Sequence, residues 1–461
     1  MTRRLRPALL FLAAALALTG CATTPREVPD RLSHPSVTAL PPMRQFRDGP
    51  ATPPSRGNAD MARDFLELTF RMESGRSVPR FTRFEGPVVL ALAGPVPTSA
   101  PADADRLVAR LRGEAGIDIR RGPDDGAAQI RIEFVPSRRL RQAVPQAACF
   151  VVPNVTGWAD YLAARRSERV DWTRLEQRRQ ATVFIPADAA PQEIRDCLHE
   201  EVAQALGPLN DLYRLSDSVF NDDNFHTVLT GFDMLMLRAS YDPALANGMS
   251  EAEVAARLPA LLDRLNPHGR RIPATDPGAT PREWIAATET VIGPGAPEAR
   301  RREAARRAVA IAQDRGWTDA RMAFAQFNFA RVAMPVDVEA GLVALLTARH
   351  LYERLPEARI HAAHVDLQLA AMALAGGEPR QAIRLIDRRI PDAERAENAA
   401  LLATFLMMKA EALAQTGEPQ AAEALRLDSL AWARYGFGTE DLVRARAKEI
   451  AGLTAPEGDR G

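Results

Sequence analysis

Two kinds of hydrophobic spacing divide the chain. In the first half, short apolar or alternating runs at Pro87 to Ala93, Ile117-Asp118-Ile119, Ile130 to Val135 and Ala181 to Ile185 read as strands, the last closed by Pro186. Helical spacing appears at Ala104 to Leu111 and again at Pro191 to Leu206. In the second of these, Ile194, Cys197, Leu198, Val202 and Ala205 form the apolar stripe, and Gly207-Pro208 ends it. Further helices are predicted over Val228 to Ser240 and Glu251 to Leu265. Strand, helix, strands, helix is the order of an α+β or α/β domain, placed here at residues 56–265.

Residues 266–297 are dense in proline and glycine and read as a linker with a short helix at Glu283 to Ile292. From Glu298 the pattern changes to successive helices rich in alanine, leucine, arginine and glutamate, so residues 298–461 are expected to be all-helical. Gly377-Glu378-Pro379-Arg380-Gln381-Ala382 recurs as Gly417-Glu418-Pro419-Gln420-Ala421-Ala422, each copy following an alanine-rich helix at His361 to Ala375 and Asn398 to Thr416. This resembles tetratricopeptide helical hairpins, although the forty-residue period is longer than their usual one. The alternative is a generic helical bundle; in either case the segment suits an interaction surface better than chemistry.

The amino terminus supplies an address. Arg3, Arg4 and Arg6 precede an apolar run from Ala8 to Leu18, which has signal-peptide length and is short for a membrane span. Leu18-Thr19-Gly20-Cys21 resembles a lipobox, which implies cleavage after residue 20 and lipidation of Cys21. Residues 1–20 are therefore expected to be a lipoprotein signal peptide and 21–55, polar and proline-rich, a flexible tether. Ala22 after the lipidated position favours the outer membrane, facing the periplasm. In that oxidising compartment Cys149 and Cys197 are left as a pair, read as a disulfide rather than as two buried thiols. Lysine plus arginine and aspartate plus glutamate both total 59, so no net field favours nucleic acid.

The chemistry centres on Cys197-Leu198-His199-Glu200-Glu201-Val202-Ala203-Gln204-Ala205-Leu206-Gly207. Taken from His199 as HExxH, the match fails at Ala203, and the helical wheel puts both residues away from the core, as a surface histidine requires. Shifted by one, Glu200-Glu201-x-x-Gln204-x-x-Gly207-x-x-Asn210 overlies the metzincin pattern HExxHxxGxxH/D. Glu201 then takes the place of the catalytic glutamate, in the middle of the apolar stripe, where a carboxylate must be paired or shifted in pKa. Glu200, Gln204 and Asn210 stand where metal ligands would be, and Gly207 would let the chain turn to bring Asn210 to the same site. Asp217, Asn221, Asp222 and Asp223 could add oxygens to that set, although an acidic loop of this kind reads first as solvated.

Together with Phe220-Asn221-Asp222, Leu229-Thr230-Gly231-Phe232-Asp233 and Tyr241-Asp242-Pro243, these motifs resemble an uncharacterised bacterial secreted family, a domain of unknown function, over residues 65–265. The resemblance to metzincins implies a metzincin-like α+β N-terminal domain ahead of the all-α, tetratricopeptide-like C-terminal domain. Both helix histidines of the metzincin pattern are replaced, and an all-oxygen set suits calcium or magnesium rather than zinc if it holds any cation. Three readings stand: a protease-like fold that now binds or scaffolds a protein or envelope polymer, a metal-assisted peptidase or amidase, or a carboxylate cluster that ties the helix. No phosphate loop, GxSxG elbow or CxxC motif supports other chemistry.

The lipobox carries its own test. In a bacterial host, labelled palmitate should enter the full chain and be lost completely in Cys21→Ser; equal labelling of the two would refute the lipobox.

Overall fold

In a computed structural model, which describes residues 40–46, 49, 52–145 and 147–454, the predicted strands join one five-stranded sheet. The leader, Cys21 and the tether to residue 39 lie outside the described residues. The first part runs α1 (Asn58–Phe70), β1 (Val88–Ala93), α2 (Ala100–Gly113), β2 (Ile119–Arg121), β3 (Ile130–Val135), α3 (Ser137–Ala143), β4 (Phe150–Pro153), α4 (Trp158–Ala164), β5 (Ala181–Pro186), α5 (Pro191–Leu206), α6 (Gly231–Ser240) and α7 (Glu251–Leu265). Strand order is β2-β1-β3-β5-β4, parallel except for β4, which lies antiparallel on the edge against β5.

Register follows the alternation of side chains. Leu90 pairs with Ile130, Ile130 with Ala181 and Ile132 with Val183, so one face carries a continuous apolar layer under α1, α2 and α5–α7. On the opposite face Phe184 packs with Leu140, Val152, Val155 and Tyr161. Helix α1 and strand β4 had no signature strong enough to be expected from the sequence. Edge strand β4 is short, and its start is tied to α5 by the Cys149–Cys197 disulfide, 48 residues apart in sequence. Closing a loop of that size restricts the unfolded chain by about 4 kcal/mol in the chain-entropy model.

The second part is entirely helical: α8 (Arg282–Ile292), α9 (Glu298–Asp314), α10 (Ala320–Ala333), α11 (Val338–Glu353), α12 (Arg359–Ala375), α13 (Pro379–Arg395), α14 (Ala399–Gln415), α15 (Pro419–Phe437) and α16 (Glu440–Ala451). Each helix from α8 to α15 packs on the next, as a helical repeat does. The recurring Gly-Glu-Pro has a local cause. Gly377 and Gly417 take positive φ just after α12 and α14, and Pro379 and Pro419 open α13 and α15, where a missing N–H costs nothing. Helices α14 and α15 also meet closely at Gly436, where a Cβ would stand 2.6 Å from Ala400 Cα.

The described residues from Leu40 onward form one compact unit. Two segments read as connections are packed within it. Phe46, in the stretch expected to be tether, stacks on Trp432 of α15 at 4.5 Å, and Arg44 N–H donates to Ala431 O at 3.0 Å. Within 266–297, α8 buries Trp284 completely in the helical core. Isolated apolar residues in polar stretches found partners on helices remote in sequence. Among the described residues no helix is long and apolar enough to cross a membrane.

Helix α5 is held at both ends. At its C-terminus buried Arg178 donates to Gln204 O, Ala205 O and Gly207 O at 2.6, 2.7 and 2.5 Å, and its guanidinium lies over Trp172. That cation satisfies carbonyls a helix end leaves open and complements the helix dipole. Near its start, Gln192 exchanges hydrogen bonds with Asn398 Oδ1 and Ala400 N–H, while Arg195 donates to Glu397 and lies over Tyr435. Tyr435 in turn donates to Asp103 of α2 at 2.8 Å.

Replacing Arg178 leaves three buried carbonyls without donors. Arg178→Met should therefore lower unfolding free energy in urea by about 3 kcal/mol; a change below about 1 kcal/mol would show that water replaces the cap.

Candidate functional site on the motif helix

Helix α5 places the motif side chains in three different settings. Glu201 is 4 % exposed, and its Oε2 has no hydrogen-bond partner. Glu200, one residue back, is half-buried, and Asp211 from the loop after the helix has a buried, unpartnered Oδ1. Glu73, exposed in the turn after α1, faces the same group, and Asp222 faces it from farther along the loop. No arginine or lysine is among the groups that shift these acids, so they raise one another. Burial, reinforced by Glu73 and Asp222, pushes Glu200 up to about 7. Burial and the neighbouring Glu200 and Glu73 carry Glu201 well above the carboxylate range, and Asp211 rises for the same reasons. Asp222, raised by burial to about 6, accepts a hydrogen bond from Tyr213 at 2.6 Å, which opposes that rise. The cluster thus retains protons at neutral pH.

Gln204 and Asn210 enter differently. The Gln204 carbonyl accepts from Arg178, while its half-buried side chain lies one helical turn from Glu200. Asn210 Nδ2 donates to Glu67 O of α1 at 3.1 Å, which commits its amide nitrogen to that helix. Gly207 has an extended backbone rather than a left-handed one; what it provides is room beside Ser240, which a Cβ would approach to 3.2 Å.

His199 is not a surface residue. It is 4 % exposed, and its Nδ1 accepts the Leu229 N–H at 3.1 Å, while Arg110 donates to Leu229 O at 2.9 Å. Burial and the charges of Arg110, Arg195 and Arg106 push its pKa well below the ordinary histidine value. The face of α5 expected in solvent is covered by the chain leading into α6, a cover that a helical wheel cannot show.

The loop between α5 and α6 is correspondingly committed. Arg214 donates to Asp64 at 2.6 Å and Glu67 at 2.9 Å, and Arg56 bridges Asp64 and Asp217. Asp233, fully buried, takes Ser218 Oγ, Val219 N–H and Thr230 N–H, joining this loop to the N-terminus of α6. Asp223, expected in solvent, has a side chain only 5 % exposed and meets His361 Nε2 of α12 at 2.7 Å. Tyr213 and Phe225 belong to the core of the helical part, packed on Trp284, Phe324 and Phe327. Sequence reasoning missed His361 because its partner lies 138 residues away, with no local spacing to mark the pair.

Zinc does not fit the motif positions. Glu200 and Gln204 offer only oxygen, Asn210 is engaged by α1, and the Nδ1 of His199 is used by Leu229. Among the described residues no three His, Cys, Asp or Glu side chains are arranged to hold a metal ion.

Residues 58–260 match the model of a family described as "Protein of unknown function (DUF2927)", in agreement with the resemblance drawn over residues 65–265. No curated protein matches the chain.

The raised acids set a pH dependence of known sign. The folded chain keeps protons that an unfolded carboxylate, with its ordinary value of 4.5, has lost, so this cluster weakens the fold as pH rises from about 4.5 through about 7. Glu201→Gln keeps the shape without the proton. Its Tm should exceed that of the parent by about 2 °C or more at pH 8 and match it near pH 4; a variant less stable at both pH values would mean Glu201 is needed as a carboxylate.

Proposed function

We propose that the chain is a lipoprotein of the bacterial cell envelope, held by lipid on Cys21, in which a degenerate, metzincin-like domain serves binding or scaffolding rather than catalysis. The supporting observation is the fate of the loop after the motif helix. In a working metalloprotease the surroundings of that helix must admit a substrate. Here residues 213–227 carry Tyr213 and Phe225 into the core of the helical part and Asp223 against His361. The helix itself serves as the spine on which α14 and α15 dock, through Gln192 and Arg195. Helices after α8, read as tetratricopeptide-like, would present the surface for a protein or envelope polymer, on the periplasmic face of the outer membrane by the reading of Ala22.

One observation favours a second reading, a metal-assisted peptidase or amidase. Glu201 keeps an unpartnered carboxylate oxygen beside Glu200, whose pKa of about 7 would suit proton transfer. A divalent cation with oxygen preference is the cofactor that reading would need, and zinc is not.

Mature protein purified without chelator should show no hydrolysis of peptides or peptidoglycan fragments above that of Glu201→Gln, with or without added calcium or magnesium. Turnover that disappears in Glu201→Gln would establish the hydrolase and end the scaffold reading.

A further inference from the structure

Three histidines gather where the post-motif loop enters the helical part. Phe225 stands between them and the phenylalanines of α10: its ring is 4.6 Å from His361, 4.7 Å from His364 and 5.6 Å from Phe327. His226, the next residue, lies 5.7 Å from His361, and the buried Tyr352 of α11 lies 5.0 Å from it on another side. His361 Nε2 meets Asp223, and His226 Nε2 is 3.0 Å from Ser216 O. His361 Nδ1, His364 Nε2 and Tyr352 OH are buried without partners. Thr227 closes the segment by donating to Ala396 O at 3.2 Å.

We propose that this ring cluster is an acid-operated catch: with the His226 and His364 rings neutral it keeps Phe225 inserted in the helical core, and on acidification it releases Phe225 and loosens the helical part from the α/β part. The charges facing the rings decide the sign. From the loop come Asp217 and Asp223, from α10 Arg331, from α11 Tyr352, and from α12 the rings of His361 and His364. Glu357, just before α12, reaches Ser216 Oγ. Asp217 is already bridged by Arg56, so Asp223 is the carboxylate left to face three rings, and it compensates one imidazolium. Further protons would be buried beside one another and beside Arg331, at a cost the apolar surroundings do not offset.

Burial holds His226 below the ordinary value, with His361 adding to the effect and Asp223 opposing it; for His364, burial and the same neighbour lower the value to about 3. The inserted loop therefore binds fewer protons than the released one. Its stability is present above about 6.5 and is lost as pH falls toward about 3. The carboxylate cluster has the opposite sign, since acid favours its protonated, folded form. Asp222 belongs to that acid-stabilised group, so acid holds its end of the loop while the rings let go of Phe225, and release is local to the seam. This inference rests on the seam geometry and not on the scaffold reading; it would hold equally for a hydrolase.

Hydrogen exchange of the full chain at pH 7.5 and 5.0, corrected for intrinsic exchange rates, tests it. His364 alone should raise the opening equilibrium of residues 225–229 and 359–366 by about thirtyfold over that interval, while β1, β3 and β5 stay protected. His364→Phe should cut the response by about tenfold or more, and His226→Gln should reduce it independently if the first variant fails to fold. A seam that stays closed at pH 5.0, a sheet that opens along with it, or a full response in both variants would each overturn the catch.

Discussion

Every other feature depends on one constraint: the polar backbone and side chains of the segment between α5 and α6 lie between two hydrophobic cores. Much of that segment is cut off from water, so most of its buried groups are satisfied from within the protein. Arginines supply the long-range donors at both ends. Arg178 closes the end of α5, Arg110 holds Leu229, and Arg214 and Arg56 anchor the segment to α1 through Asp64. His199 supplies the matching acceptor on α5. With the backbone so occupied, Tyr213 and Phe225 can cross into the second core and join the two parts into one unit.

The same burial explains the electrostatics on both sides of this segment. Toward α5 it packs carboxylates together without a cation, so they retain protons and gain stability as pH falls. Toward α12 it packs imidazoles around one carboxylate, so they refuse protons and lose stability as pH falls. Low local dielectric shifts acids up and bases down. A few residues of one loop therefore stand under opposing pH responses, which separates the behaviour of the seam from that of the motif helix.

Helix α5 is best understood through what its motif side chains do. A zinc site needs three converging donors and an open approach. Here Glu200, Gln204 and Asn210 supply no such set, and the start of the same helix docks α14 and α15 through Gln192 and Arg195. Glu201 lies in the middle of the stripe as a buried acid whose pKa burial and its acidic neighbours raise.

Local pattern determined much of this protein. The spans of β3, α5 and α7, the change to an all-helical region, the glycine and proline marks at α12 to α15, and the Cys149–Cys197 pair follow from periodicity, turn chemistry and cysteine count, which act between near neighbours or through composition. The burial of Glu201 was legible too, since a wheel places it in the stripe. Tertiary structure alone decided that His199 is enclosed, that Asn210 serves α1, that Phe46 and Trp284 belong to a core, and that Asp223 meets His361. Those outcomes depend on which distant segment covers a face, and a face exposed on an isolated helix carries no mark of the chain that will lie over it.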